Sequence, residues 1–255
     1  VRSKTQVEPR PLWARGIESQ VALVTGAGRG LGRACALALS EAGARVIAVA
    51  RTAQELERLA ADAAGPVEVW CEDVTGDALL ERIELLARLD VLVNNAGTNR
   101  PQPFLEVTDD ALDSLLALNV RAAYRVARSA ARVMARAGRG SIIHMSSQMG
   151  HVGAPQRSVY CMTKHAIEGL SKAMAVELAP MGIRVNTVAP TFVDTPMTRP
   201  YFENRAFADF VMSMIPAGRL GTLEEVAAAV VYLASPASGI VTGTSLRLDG
   251  GWTAH

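Results

Sequence analysis

From Gln20 onward, short apolar runs rich in β-branched residues alternate with longer stretches whose apolar positions recur at helical spacing. The runs are VALVT (21–25), ARVIAVA (44–50), VEVWC (67–71), DVLVNN (90–95), SIIHMS (141–146), IRVNTVA (183–189) and SLRLD (245–249). Their nearly continuous apolar character is that of strands covered on both faces, and stretches such as GRACALALSEAG (32–43) and EEVAAAVVYLAS (224–235) supply the covering helices. The alternation predicts parallel strands joined by crossover helices, an α/β fold with a Rossmann-type doubly wound parallel sheet. No repeat or low-complexity linker divides it, so residues 20–255 are expected to form a single domain behind an N-terminal arm at 1–19. The longest irregular region, about 190–220, is expected to serve as a substrate lid.

A hydrophobic content of 49%, 20% charged residues and a formal net charge of +1 describe an ordinary globular chain with no global attraction to nucleic acid or anionic membrane. Small molecules and further copies of the chain are the expected partners. No apolar run reaches the roughly 18 residues of a membrane helix, and VRSKTQVEPRPLWARG lacks the apolar core of a secretory signal. Cys35, Cys71 and Cys161 show neither CxxC nor zinc-ligand spacing, and there is no HExxH. No metal is expected, and a reducing cytoplasm is the expected location.

Directly after the first run comes TGAGRGLG, with Gly26, Gly28, Gly30 and Gly32 leading into a helix. Glycines there let the backbone approach a pyrophosphate while the helix N-terminus offers unpaired N–H groups. A structural turn needs glycine too, but the strand before and helix after favour a dinucleotide site. An acidic residue at the end of the second strand would hold the ribose 2′-hydroxyl of NAD. The chain has Ala50 there, followed by Arg51, and Arg29 in the glycine loop can reach the same phosphate. These residues favour NADP(H), with NAD(H) the alternative.

Tyr160 and Lys164 stand at i and i+4 in YCMTK, on one face of an expected helix. A phenol is a poor base at neutral pH, but an adjacent ammonium and a cationic nicotinamide ring both favour phenolate. Ser147 follows the fifth run, where its hydroxyl can hydrogen-bond a substrate oxygen.

These motifs together resemble the short-chain dehydrogenase/reductase family, in its classical branch, over about residues 20–252: TGAGRGLG, Asp73 in CEDV, NNAG (94–97), Asn119 in LNV, Ser147 in MSSQMG, YCMTK and the terminal LDGG. The resemblance implies that Tyr160 is the general acid/base and that Ser147 orients the substrate oxygen. It further implies that Lys164 holds the ribose and tunes Tyr160, and that Asn119 supports a proton-relay water. Asp73 and Asn95 would seat the adenine side and Val193 and Thr195 the carboxamide, with Leu31, Val74, Ala96, Gly97 and Pro190 also against the cofactor. A homotetramer through helices around 108–136 and 157–179, together with the C-terminal strand and tail, is implied as well. The chain departs from the family at Pro190-Thr191, where Pro-Gly is usual, so an altered nicotinamide pocket is expected.

The reaction implied is hydride transfer between NADP(H) and a ketone or secondary alcohol, of a sugar acid or polyol or, alternatively, a 3-oxoacyl thioester. A nucleotide-sensing regulator is the reading from another class, but such a protein could discard the catalytic residues that this chain has. Gln148, His151 and Arg157 are candidates for the substrate wall, Arg157 for a carboxylate or hydroxyl, against a plain surface arginine at a helix start. His144, inside an apolar strand, reads as a core residue. Arg121, Arg125, Arg128, Arg132, Arg136 and Arg139 form one helical stripe, either a docking face for an acyl-carrier protein or a solvated or intersubunit salt-bridged face. Phe192, Met197, Tyr201, Phe202, Phe207, Phe210, Met212 and Met214 either line a pocket or pack the lid down.

Overall fold

The computed structural model describes residues 16–195 and 198–254; most of the expected arm, and Met197, lie outside the described residues. Seven strands form one parallel sheet: β1 (Val21–Thr25), β2 (Arg45–Ala50), β3 (Val67–Cys71), β4 (Val91–Asn94), β5 (Gly140–Met145), β6 (Ile183–Pro190) and β7 (Ser245–Leu248). Their order is β3-β2-β1-β4-β5-β6-β7. The order reverses between β1 and β4, and at such a switch point the loops leave in opposite directions and open a crevice beyond the strands' carboxyl ends.

Side chains alternate across the sheet and feed two cores. Ala22, Val24, Val46, Ala48, Val91 and Val93 face α1 (Gly30–Glu41) and α9 (Leu223–Ala234) through residues such as Leu39 and Val230. Leu23, Ile47, Val49 and Leu92 face α3 (Asp77–Glu84) and α5 (Ala123–Ala137) through Ile83, Val126 and Met134. The expectation of strands covered on both faces fails at β3, an edge strand of whose residues only Trp70 is buried while Val69 is 40% exposed. Arg82 lies 4.0 Å over the Trp70 ring and covers it from the solvent side.

Of the arginine stripe along and beside α5, Arg125, Arg132, Arg136 and Arg139 are met within the same chain, while Arg121 and Arg128 form no salt bridge among the described residues and Arg128 lies 5.8 Å over the Tyr124 ring. Arg125 pairs with Asp77, Arg132 with Glu84 at 2.8 Å and Arg139 with Asp90 at 3.2 Å. Arg136 donates to the carbonyls of Glu84 and Leu86 at 3.1 and 3.3 Å. The acidic partners belong to α3 and its flanks, so this face ties α5 to α3.

Beyond β6 the chain forms α7 (Arg199–Phe202) and α8 (Arg205–Ser213). Phe192, Phe202, Phe207 and Met214 pack with Val211, Ile215 and Trp252 into a small third core. Phe192 meets the Phe202 and Phe207 rings edge-on, each at 5.7 Å. The aromatic residues therefore hold this region down, while threonines turn toward the crevice.

Candidate active site

The carboxyl ends of β1 to β6 open into one cleft of about 970 Å³. Every residue that the sequence marks for the cofactor lines it: Gly26, Arg29, Gly30, Leu31, Gly32, Arg51, Asp73, Val74, Asn95, Ala96, Gly97, Tyr160, Lys164, Pro190, Val193 and Thr195. Ser147 lines it too.

At one end, the glycine loop is clamped to β4. Thr25 Oγ1 accepts hydrogen bonds from the backbone N–H groups of Asn95 and Ala96, both at 3.0 Å. Asn95 Nδ2 donates to the carbonyl of Thr25 at 2.9 Å. Gly32 sits so close to the loop that a Cβ would fall on the Gly26 carbonyl oxygen, 2.8 Å from its carbon and 2.5 Å from Asn95 Nδ2. No side chain caps α1 at Arg29, so its first N–H groups are left for an anion. A dinucleotide pyrophosphate fits this cradle. Farther along, Arg29 and Arg51 line the cleft, and among the described residues neither forms a salt bridge. Asp73 is held below its ordinary carboxylate range by hydrogen bonds from the backbone and hydroxyl of Thr75, both at 2.8 Å.

At the other end, α6 (Ser158–Leu178) presents Tyr160 and Lys164 one turn apart. The Lys164 ammonium stands 5.5 Å from the centroid of the Tyr160 ring and donates to the Met145 carbonyl at 2.7 Å. Burial pushes the lysine down to about 8, with Glu168 opposing that shift. Burial pushes the Tyr160 phenol up to about 12, against the pull of the Ser147 hydroxyl. Desolvation is the largest influence on the phenol, and of the chain's own groups Ser147 and Arg157 pull it back down. Ser147 caps the short turn Gln148–Gly150, accepting from Met149 N–H at 3.2 Å and donating to Gln148 Oε1 at 2.8 Å.

The remaining candidates, Asn119, Gln148, His151 and Arg157, are not among the residues lining the cleft and sit behind its wall. Asn119 lies in a π-helical stretch, Ala117–Ala122, where its amide grips both backbone groups of Thr98 at 2.8 and 2.9 Å and reaches Thr163 Oγ1 at 3.2 Å. Thr98, which lines the cleft directly after NNAG, went unmarked in the sequence. His151 is not among the residues lining the cleft; its Nε2 meets Ser245 Oγ at 2.9 Å and Glu168 Oε1 at 3.3 Å. Arg157 is no surface residue: it is 7% exposed, lies 5.2 Å over the Tyr201 ring, and has no carboxylate partner among the described residues. His144 is buried in β5, 3.3 Å from Asn94 Nδ2, and burial pushes it down to about 4.

The family model described as enoyl-(acyl carrier protein) reductase matches residues 26–253. L-xylulose reductase of Mus musculus is 42% identical over 94% of this chain and 98% of its own. The chain belongs to the short-chain dehydrogenase/reductase family. Another relative, the 3-oxoacyl-[acyl-carrier-protein] reductase FabG of Vibrio harveyi, is 37% identical over 92% of this chain and 98% of its own. Among solved structures, a gluconate 5-dehydrogenase of Burkholderia cenocepacia, in complex with NADP and tartrate, superposes with a TM-score of 0.86 at 33% identity, covering 93% of this chain and 96% of that one. Within the short-chain dehydrogenase/reductase pattern, Thr191 is the visible departure. It lines the cleft, its N–H donates to the Leu248 carbonyl at 3.1 Å, and its buried hydroxyl has no partner among the described residues.

Proposed function

We propose that the chain is an NADP(H)-dependent oxidoreductase that interconverts a ketone and a secondary alcohol on a sugar acid or polyol. The observation that carries this reading is the convergence of Ser147, Tyr160 and Lys164 on the cleft that also contains the α1 glycine loop. The bound nicotinamide would supply or accept the hydride. Of the chain's own groups, Ser147 orients the substrate oxygen, Tyr160 gives up or takes its proton, and Lys164 holds the ribose and the positive potential beside the phenol. Asn119 supports the relay by fixing Thr98 and the helix bend. Arg29 and Arg51 suit a 2′-phosphate, and no carboxylate stands at Ala50 to favour NAD(H).

Arg157 supports a substrate bearing a carboxylate. It does not line the cleft, but its buried guanidinium has no carboxylate partner among the described residues and adds positive potential beside Tyr160, which favours an anionic substrate. The acyl-carrier reading loses part of its support, since Arg125, Arg132 and Arg139 of the stripe meet the chain's own acidic groups. A regulator without turnover would have no use for the Tyr160–Lys164 pair. We further assign residues 20–255 to one catalytic domain with its lid at about 190–220, and a cytoplasmic homotetramer through α4 (Asp109–Leu116), α5 and α6, whose exposed Tyr124, Met162 and Val176 suit an interface.

The test is the loss of reduced-nicotinamide absorbance with NADPH and a panel of pentuloses, keto-gluconates and 3-oxoacyl thioesters. Turnover confined to the sugars supports the reading, and turnover confined to the thioesters overturns its substrate class. A monomer by light scattering would overturn the tetramer.

A further inference from the structure

Glu168 is a buried carboxylate, 5% exposed, that no arginine meets among the described residues. It sits one turn after Lys164 on α6. Its oxygens are held from three other segments. Thr187 Oγ1 on β6 lies 3.0 Å from both, Ser245 Oγ on β7 donates at 3.1 Å, and His151 Nε2 stands 3.3 Å away. The turn bearing Ser147 closes over the same spot: a Cβ on Gly150 would lie 3.1 Å from Glu168 Cγ and 3.1 Å from the Lys164 carbonyl. Burying a carboxylate in this way is costly unless a cation or several donors compensate it. Donors are present, and Lys164 and Lys172 stand one turn to either side of it on α6; of the two, Lys164 is the buried one, and among the described residues its ammonium donates to the Met145 carbonyl alone.

We infer that Glu168 is a positioning residue for Lys164, supplying from one helical turn away the negative charge that balances the buried ammonium, and that Thr187, Ser245 and His151 hold the carboxylate to that task. The inference deepens the proposed role of Lys164 in the cleft. The titratable groups around the ammonium are Tyr160 and Glu168 on its own helix, His144 on β5 and His151 on the turn beyond; β6 and β7 face the carboxylate with hydroxyls alone. His144 is neutral at working pH and adds no positive charge. Glu168 is thus the group that opposes the desolvation of Lys164.

The chain's lysines are Lys4, Lys164 and Lys172, so ε-carbon-labelled lysine gives a spectrum that Lys→Arg variants assign directly. The Lys164 signal should titrate near 8 in the native protein and lower by about one pH unit in Glu168→Gln, with the exposed Lys172, one turn to the other side of Glu168, moving much less. Glu168→Asp should retain most of the native midpoint. Glu168→Met, which fills the same volume without an unpaired polar group, makes the same prediction as Gln if that variant does not fold. A Lys164 midpoint equal or higher in Gln and Met overturns the inference. This readout needs neither cofactor nor substrate, so failure of the reductase reading would show separately, as absent turnover with an unchanged lysine titration.

Discussion

Gly32→Ala is the substitution on which sequence and structure bear most sharply. The new methyl would fall on the Gly26 carbonyl oxygen, with Asn95 Nδ2 at 2.5 Å on its other side. The loop cannot retreat, because Gly26 is itself against Ala96, where a Cβ would come within 3.1 Å of the backbone, and its φ of +66° leaves little freedom. Relief requires α1 to move outward by the order of 1 Å, loosening its packing on α9. Overpacking of this kind costs about 2–3 kcal/mol. At roughly 2–4 °C per kcal/mol for a chain of this size, Tm should fall by about 4–12 °C in scanning calorimetry. NADPH binding, followed by fluorescence, should weaken by more than about tenfold as the α1 N–H groups shift. Gly30→Ala is the matched comparison: its φ is +55° but nothing lies within 4 Å of the added carbon, so only the left-handed backbone penalty of about 1 kcal/mol applies. Equal Tm losses for the two variants, or native NADPH affinity in Gly32→Ala, would refute this reasoning.

Two further perturbations address charge. Arg51→Asp should reverse a preference for NADPH over NADH in parallel fluorescence titrations, since it exchanges a cation that suits a 2′-phosphate for a carboxylate that suits a 2′-hydroxyl; an unchanged preference would leave Arg51 as surface. His144 stays neutral in the fold down to about 4 but takes up a proton near 6.5 when unfolded, so the unfolded state binds more protons in that window. Stability from this residue is therefore present above 6.5 and lost as pH falls toward 4, by about 3 kcal/mol; urea unfolding of His144→Leu should lack that component.

Local pattern carried the strands well. All seven expected runs lie within one residue of the observed boundaries, because all but SLRLD carry β-branched side chains and each is set off by polar or turn-forming neighbours from the helical stretches. That the residues marked for the cofactor line one cleft follows from the same pattern: they follow strand ends, and a parallel sheet puts those ends on one edge. What sequence could not convey was the direction of side chains set by distant partners. His151 turns to Glu168 on α6 and Ser245 on β7, and Arg157 is covered by Tyr201 from α7, although spacing gave the two the same standing. β3 read as an interior strand because its composition resembles one, while its exposure follows from being last in the strand order. The aromatics of 192–210 could not be sorted without Trp252, far along the chain, which joins the core they form. The arginine stripe was visible as a period, but its acidic partners on α3 become neighbours only in the fold.

The most direct test of the central claim compares native protein with Tyr160→Phe, measuring NADPH-dependent ketose reduction and NADPH affinity side by side. Loss of the phenolic proton should lower kcat by roughly 10²–10⁴-fold while the affinity stays within a few-fold. Turnover by Tyr160→Phe at the native rate would contradict the assignment of Tyr160 as the proton donor, and with it the reading of this cleft.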